Sequence, residues 1–296
     1  MSNILSNKIF NFFSKGELPP ILISEMISLI IKDKEVIYVG MKNEAENIKK
    51  TYNFCKEFKF NIIIMEDNNN KNHINLIIGL NKKIVTKLYK IIQVHNAEPE
   101  AGILLGYPEC CIQSYSKWKR KISIIKYVLS NTKNITQKFP FYTNNLFNFS
   151  SRPYINHKLL SEFMKTNNHL FPYLDFNPII SWHPCSYYCS ESIKRGKKIY
   201  EFMKIYLPKM AESKKQILSS TFLFLDDFEL LAVNGNENIK NNHIMFELNE
   251  ILPYPKTIIS NKVISKLTKG IIIKANKKRT ILEPNILKNY LLISFE

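Results

Sequence analysis

The sequence predicts an α/β protein, α+β overall: a small α/β layer at the N-terminus, a helical cysteine-bearing middle and a β-rich C-terminal part. Three observations predict it. Between Glu35 and Val94, short β-branched runs alternate with helical stripes. Four of the five cysteines fall in two proline-led segments near the middle of the chain. Beyond Pro208, short apolar runs are separated by turn-forming residues. The regions implied are residues 1–96, 97–208 and 209–296.

In the first region, Val36 to Val39 is an apolar β-branched run, Asn43 to Phe58 carries a helical stripe, and Asn61 to Met65 is apolar again. An Asn-rich turn from Asn68 to Asn72 leads to Ile74 to Ile78, and Asn81 precedes a helical pattern through Ile92. Strands separated by helices of this length predict parallel pairing. No glycine-rich phosphate loop follows any of these strands, so a nucleotide-binding role for this region has little support. In the last region the predicted strands are Thr221 to Leu225, Phe228 to Val233, His243 to Leu248, Gly270 to Lys274 and Arg279 to Leu282, with Asp226 and Asp227 in a turn.

With 296 residues and 45% hydrophobic content, the chain has the composition of a folded globular protein. Its formal charge of +17 invites a nucleic-acid or anionic partner. The basic residues are nearly all lysine, with arginine only at 120, 152, 195 and 279, and the chain is crowded with Ile and Asn. That bias matches AT-rich coding. It also lacks the side chain best suited to bidentate phosphate and guanine contacts, so nucleic acid is possible but not favoured. The start from Met1 to Lys15 does not read as a secretory signal, and the apolar stretch Ile21 to Ile31, broken by Ser24 and Glu25, is too short to span a bilayer. A soluble, cytoplasmic protein without membrane attachment is expected. In a reducing compartment, clustered cysteines are metal ligands or working thiols rather than structural disulfides.

The first cysteine segment is Leu-Gly-Tyr-Pro-Glu-Cys-Cys, ending at Cys111, and the second is Trp-His-Pro-Cys-Ser-Tyr-Tyr-Cys, ending at Cys189. Proline suits the first turn of a helix, where its missing N–H would be unpaired anyway, so Pro108 and Pro184 are expected to open two helices. The cysteines then lie in first turns, where the helix dipole favours the thiolate. On one helix Cys185 and Cys189 would share a face, continued by Ser192 and Gly196 in a strip of small side chains. Adjacent Cys110 and Cys111 point about 100° apart and reach one metal only at the helix tip. That pair sits more easily around a multi-iron cluster than in a closed zinc site, whose paired ligands usually stand two to four residues apart.

His183 precedes a proline and belongs to an entry loop, as a ligand, a general acid or base, or a packing residue. Glu98, Glu100 and Glu109 crowd the first segment as helix-tip charges or proton carriers. Lys194, Arg195, Lys197 and Lys198 follow the second cysteine pair, as an anion-attracting group or a solvated helix face. Phe139 to His157, rich in Asn, Pro and aromatics, reads as a long loop in which Asn144, Asn145, Arg152 and His157 are weaker candidates for substrate contacts. Cys55, in a helix with Ile48 and Tyr52 on the same face, reads as a core residue.

The pattern Leu105-Gly106-Tyr107-Pro108-Glu109-Cys110-Cys111, followed by His183-Pro184-Cys185-Ser186, Cys189 and Ser192, resembles an uncharacterised prokaryotic family with a Leu-Gly-Tyr-Pro-x-Cys-Cys signature. The resemblance covers the central third of the chain and implies that the four cysteines belong together. Two other patterns do not fit. Radical S-adenosylmethionine enzymes carry a third cysteine where this chain has Ser192, and the double-cysteine domains of disulfide-reducing iron–sulfur enzymes carry glycine where it has Ile112.

The functional expectation is a metalloenzyme in which Cys110, Cys111, Cys185 and Cys189 hold an iron–sulfur cluster, favoured, or zinc. It would carry out redox or sulfur chemistry on a small or nucleotide-like substrate, with an electron donor as a possible partner. His183 and Glu109 are the candidate catalytic residues, and Arg152, Lys194 and Arg195 the candidate substrate contacts. One alternative is a zinc-stapled nucleic-acid-binding module; another is a metal-free thiol oxidoreductase.

Overall fold

The structure is a computed structural model that describes residues 9, 12, 18, 20–67, 71–94, 98–118, 124–132, 138–145, 178–219, 221–224, 230–240, 243–251, 280–281 and 291–296. Its elements in chain order are α1 (Pro20–Ile30), β1 (Val36–Lys42), α2 (Ala45–Glu57), β2 (Asn61–Glu66), β3 (His73–Gly79), α3 (Lys82–Ile92), α4 (Glu98–Leu104), α5 (Glu109–Lys117), α6 (Ile124–Ser130), a 3₁₀ turn (Phe141–Thr143), α7 (Ser190–Tyr206), α8 (Pro208–Leu218), β4 (Thr221–Phe224), β5 (Leu230–Lys240), β6 (His243–Ile251), β7 (Thr280–Ile281) and β8 (Leu291–Ser294). The fold class is the mixed one the sequence predicts.

The predicted parallel pairing is corrected by the structure. The first sheet has the order β1-β3-β2, and β3 runs antiparallel to both neighbours. The helical crossover through α2 does join two strands of the same direction, but β3 is inserted between them. The reason is the connection from Asp67 to Asn72, which is far shorter than the dozen or so residues a parallel return needs. The chain therefore folds back as a hairpin. Helix α3 starts as expected from Asn81, whose side chain accepts a hydrogen bond from the Ile84 backbone N–H at 3.0 Å.

The second sheet has the order β7-β6-β5-β4-β8, antiparallel at each pairing. Strand β8, which pairs with β4, has no counterpart in the sequence reading. Gly270 to Lys274, the Asp226–Asp227 turn, Arg152 and His157 lie outside the described residues. Beside β8, Phe295 bridges Phe139, and backbone bonds from Phe141 N to Glu296 O (2.9 Å) and from Glu296 N to Phe139 O (2.8 Å) close the contact. The start of the aromatic loop is thus packed, with Phe139, Phe141, Thr143, Asn144 and Asn145 all buried. One apolar cluster draws on all three sequence regions, from Leu22 and Ile37 through Ile124, Tyr187 and Met203 to Ile293.

Helix α1 is buried on every side from Leu22 to Leu29, which explains its almost uninterrupted apolar sequence. Its one charge, Glu25, is paired with Lys34, whose Nζ lies 2.9 Å from both carboxylate oxygens and 2.7 Å from Ser181 Oγ. Lys34 is fully buried, and its ammonium also lies 5.0 Å from the centroid of the Tyr107 ring and 5.3 Å from that of Trp182. Burial pulls its pKa down, and Glu25 opposes that pull. Next to it, Arg195 of α7 donates from Nε to Asp33 Oδ2 (2.8 Å), from Nη2 to the Asp33 carbonyl (2.8 Å) and from Nη1 to the Gly106 carbonyl. The corner between α1 and β1 thereby grips both cysteine segments.

Removing one partner of a buried ion pair leaves an uncompensated charge, at a cost of about 3–5 kcal/mol. Glu25→Gln is therefore expected to lower unfolding stability by that order in a denaturant titration, and the double change Glu25→Leu with Lys34→Met to recover most of the loss. A neutral single variant would contradict the role of the pair. Gly196 offers a second check: a Cβ there would lie 2.9 Å from Tyr142 Cβ and 3.0 Å from its carbonyl oxygen. Gly196→Ala should destabilise by about 1–3 kcal/mol, measured the same way, because α7 must shift away from the 3₁₀ turn.

Candidate metal centre

The Leu-Gly-Tyr-Pro segment is a helix stop followed by a helix start. Gly106 adopts φ +70°, in the left-handed region that favours glycine. Tyr107 N bonds to Gly102 O and Gly106 N to Ile103 O, both at 3.0 Å, which is the paired-bond C-cap that ends α4. Pro108 follows as the N-cap of α5, its carbonyl accepting from Cys111 N (2.9 Å) and Ile112 N (3.0 Å). Cys110 and Cys111 consequently stand in the first turn of α5, as the sequence predicts.

The second segment is arranged differently from the prediction. Pro184 does not open a helix, and Cys185 and Cys189 do not share one. Cys185 lies before α7, and Cys189 is its N-cap. The serine between them is the cause: Ser186 Oγ accepts from Tyr188 N at 3.2 Å, and the Ser186 carbonyl accepts from Cys189 N at 3.0 Å, making a local turn that competes with helix. Tyr187 N is drawn instead to Thr132 Oγ1 (3.2 Å), while the Tyr187 ring is buried against Phe139 and Phe295. Helix α7 can begin only after this anchor. The small-residue strip survives from Cys189 onward, with Ser192 and Gly196 both buried.

Among the described residues, these turns bring the Sγ atoms of Cys110, Cys111, Cys185 and Cys189 within 4.8 Å of one another, a set that could hold a metal ion. Cys110 and Cys111 are 3.9 Å apart, and each lies 3.7 Å from Cys189. Ser192 Oγ stands 3.4 Å from Cys111 Sγ and accepts from Trp182 Nε1 at 2.9 Å, while the Cys185 backbone N–H points at Cys111 Sγ from 3.3 Å. Cys111 and Cys189 are buried and Cys110 is exposed. Such crowding splits the thiols. Hydrogen bonds from Cys111 and Cys185 pull Cys189 far below the ordinary thiol range, while hydrogen bonds with Cys185 and Cys189, together with burial, push Cys111 far above it. At Cys185 the bond from Cys111 favours the thiolate, but the bond to Cys189, burial and nearby charge outweigh it and the thiol is pushed up to about 12. Without a cation the group thus favours the Cys189 thiolate with Cys111 and Cys185 protonated beside it, and a bound cation would favour the thiolate form of its ligands.

Cys55 is buried 1% exposed in α2, and burial pushes its thiol up to about 12, which is the inert core position expected. The face it shares is that of Thr51 and Phe54, whereas Tyr52 is 53% exposed. His183 is not among the grouped ligand atoms. Its Nδ1 meets Asn145 Nδ2, its ring lies parallel to that of Tyr115 at 6.1 Å, and burial lowers its pKa to about 4, so it is neutral near pH 7. Glu109 is exposed on α5 and accepts from Gln113 Nε2 at 3.0 Å. Lys194 is exposed, and the donors of Arg195 are committed to Asp33 and Gly106.

Beside the sulfurs lies a cavity of about 270 Å³ whose lining includes Glu98, Tyr107, Cys111, Tyr115, Trp182 and His183. The sequence reading gives Glu98 and His183 candidate roles near this place but assigns none to Tyr107, Tyr115, Ser181 or Trp182, which also line the cavity. Trp182, one of two tryptophans in the chain, was the available signal, since a rare aromatic beside His-Pro-Cys marks an unusual wall. Lys34 carried no signal in a chain so rich in lysine.

No curated protein and no solved structure matches this chain. Residues 58–217 match a family described as "Protein of unknown function (DUF483)". That stretch is more than half of the chain and contains both cysteine segments, and the chain belongs to the DUF483 family.

Proposed function

We propose that this protein is a zinc metalloprotein whose single ion, held by Cys110, Cys111, Cys185 and Cys189, locks two helix tips together and stabilises one wall of a small-molecule site. The sulfur spacing carries this reading. Four thiolates about 2.3 Å from one tetrahedral zinc stand about 3.8 Å from one another; the separations of 3.7 to 3.9 Å among Cys110, Cys111 and Cys189 match that edge, and Cys185 Sγ lies within 4.8 Å of the other three. A multi-iron cluster would place an inorganic core between the thiolates and hold its ligands further apart. Adjacency of Cys110 and Cys111 is no obstacle, because their own separation is one tetrahedron edge. Since Cys111 also lines the cavity, the metal fixes that wall directly. The role of the site is then enzymatic: a small substrate sits in the cavity, with Glu98 and His183 as the proton-handling groups that border it.

A second reading keeps an iron–sulfur centre that carries out redox chemistry. Exposure of Cys110 supports it, since an external electron donor would approach from that side.

Anaerobic purification with analysis of zinc, iron and sulfide separates the two. One zinc per chain and no visible colour is the expected result; matched iron and sulfide in a brown protein would replace it with the second reading. The double variant Cys185→Ser with Cys189→Ser should lose the metal entirely, and Cys55→Ser should keep full metal content. Because Cys111 and Cys185 hold their protons above neutral pH, binding must release them. Metal affinity, measured by competition with a chelator of known affinity, is therefore expected to fall as pH falls; a flat profile would contradict thiolate ligation.

A further inference from the structure

The cavity has a chemistry of its own, and three features narrow what it can take. The first is charge. Among the described residues no lysine or arginine lines it, so a phosphate or carboxylate ligand would find no cationic partner there. A quaternary or alkyl ammonium ion is no better suited. Trp182, the wall most able to hold a cation, already has Lys34 Nζ at 5.3 Å and the Arg195 guanidinium at 5.0 Å from its ring centroid. The second feature is shape. Of the lining rings, those of Tyr107 and Trp182 lie 5.6 Å apart, and that of Tyr115 lies parallel to His183 within 7°. Aromatic walls of this kind favour a flat π-system over an aliphatic chain.

The third feature is size and edge chemistry. About 270 Å³ is slightly below the usual range for drug-sized ligands of roughly 300–1,000 Å³. It suits one or two small rings. Ser116, Ser181 and His183 bring hydroxyl and imidazole groups to the lining, and Asn145 occupies Nδ1 of His183, leaving Nε2 to meet a ligand. Ser181 is held in place from behind by the buried Lys34 ammonium at 2.7 Å.

We infer that this cavity is a binding site for an uncharged, planar heteroaromatic ring of nucleobase size, stacked on its aromatic walls, with any attached charged group left outside. The inference rests on the proposed reading of the cavity as the substrate site and names the class of that substrate. It does not depend on which metal the cysteines hold.

The test uses full-length protein carrying Trp118→Phe, which leaves Trp182 as its only tryptophan and so as a reporter on the cavity wall. Adenosine, guanosine, cytidine and uridine are titrated while Trp182 emission is followed, with inorganic phosphate and choline as controls. Saturable quenching by at least one nucleoside and by neither control is expected. Tyr115→Ala should weaken that binding about tenfold, the scale of losing one stacking platform. Ser116→Phe, placed at an exposed lining position where folding is not at stake, should block it. No saturable response to any nucleoside, a stronger response to phosphate or choline, or binding indifferent to Ser116→Phe would overturn the inference. Metal content measured on the same samples keeps this outcome separate from the metal reading: intact metal with no nucleoside response sinks the ligand class alone.

Discussion

Two helices that meet near their N-termini bring unpaired N–H groups and the positive ends of two dipoles to one place, and such a junction is stabilised where negative charge is supplied. Here the helices are α5 and α7, and the charge comes from cysteine sulfur. Cys110 and Cys111 stand in the first turn of one helix, and Cys189 caps the other. The dipoles favour thiolates, while thiolates packed this closely repel one another. The hydrogen-bonded sulfurs ease that conflict by favouring the thiolate at Cys189 and the thiol at Cys111 and Cys185, and a bound cation would ease it further.

The junction also needs rigid supports, and the chain provides them from a distant stretch. Asp33 and the Gly106 carbonyl share the guanidinium of Arg195, so the end of α4 and the body of α7 are pinned to one side chain. Lys34 does the same for Ser181 through the buried pair with Glu25. These three residues, Glu25, Asp33 and Lys34, all precede the part of the chain matched by the family. The cavity wall at Ser181 and Trp182 is therefore built jointly by the family region and by the corner that follows α1. Buried charge used this way contributes little net stability, and its value lies in fixing geometry.

Much of this was legible in the sequence. The first-turn position of Cys110 and Cys111 follows from proline placement and the core role of Cys55 from helical spacing, while the grouping of the four cysteines is what the resemblance to a shared signature implies. The order of strand and helix in the first region was also readable, but the direction of β3 was not, because periodicity reports which residues form a strand and not which neighbour it joins. The second helix start was misplaced for a similar reason. Pro184 carries a generic helix-opening signal, whereas the turn at Ser186 and the anchoring of Tyr187 depend on Thr132, Phe139 and Phe295, far away in the chain. Arg195 looked like an anion-binding residue because its partners, Asp33 and a backbone carbonyl, are visible only in three dimensions.

X-ray absorption at the edge of the metal carried by the purified protein tests the central claim most directly. A mononuclear centre predicts one shell of four sulfur scatterers at about 2.3 Å and no metal–metal scattering. A second shell from neighbouring metal atoms, or nitrogen and oxygen in place of sulfur, would contradict the single ion held by Cys110, Cys111, Cys185 and Cys189.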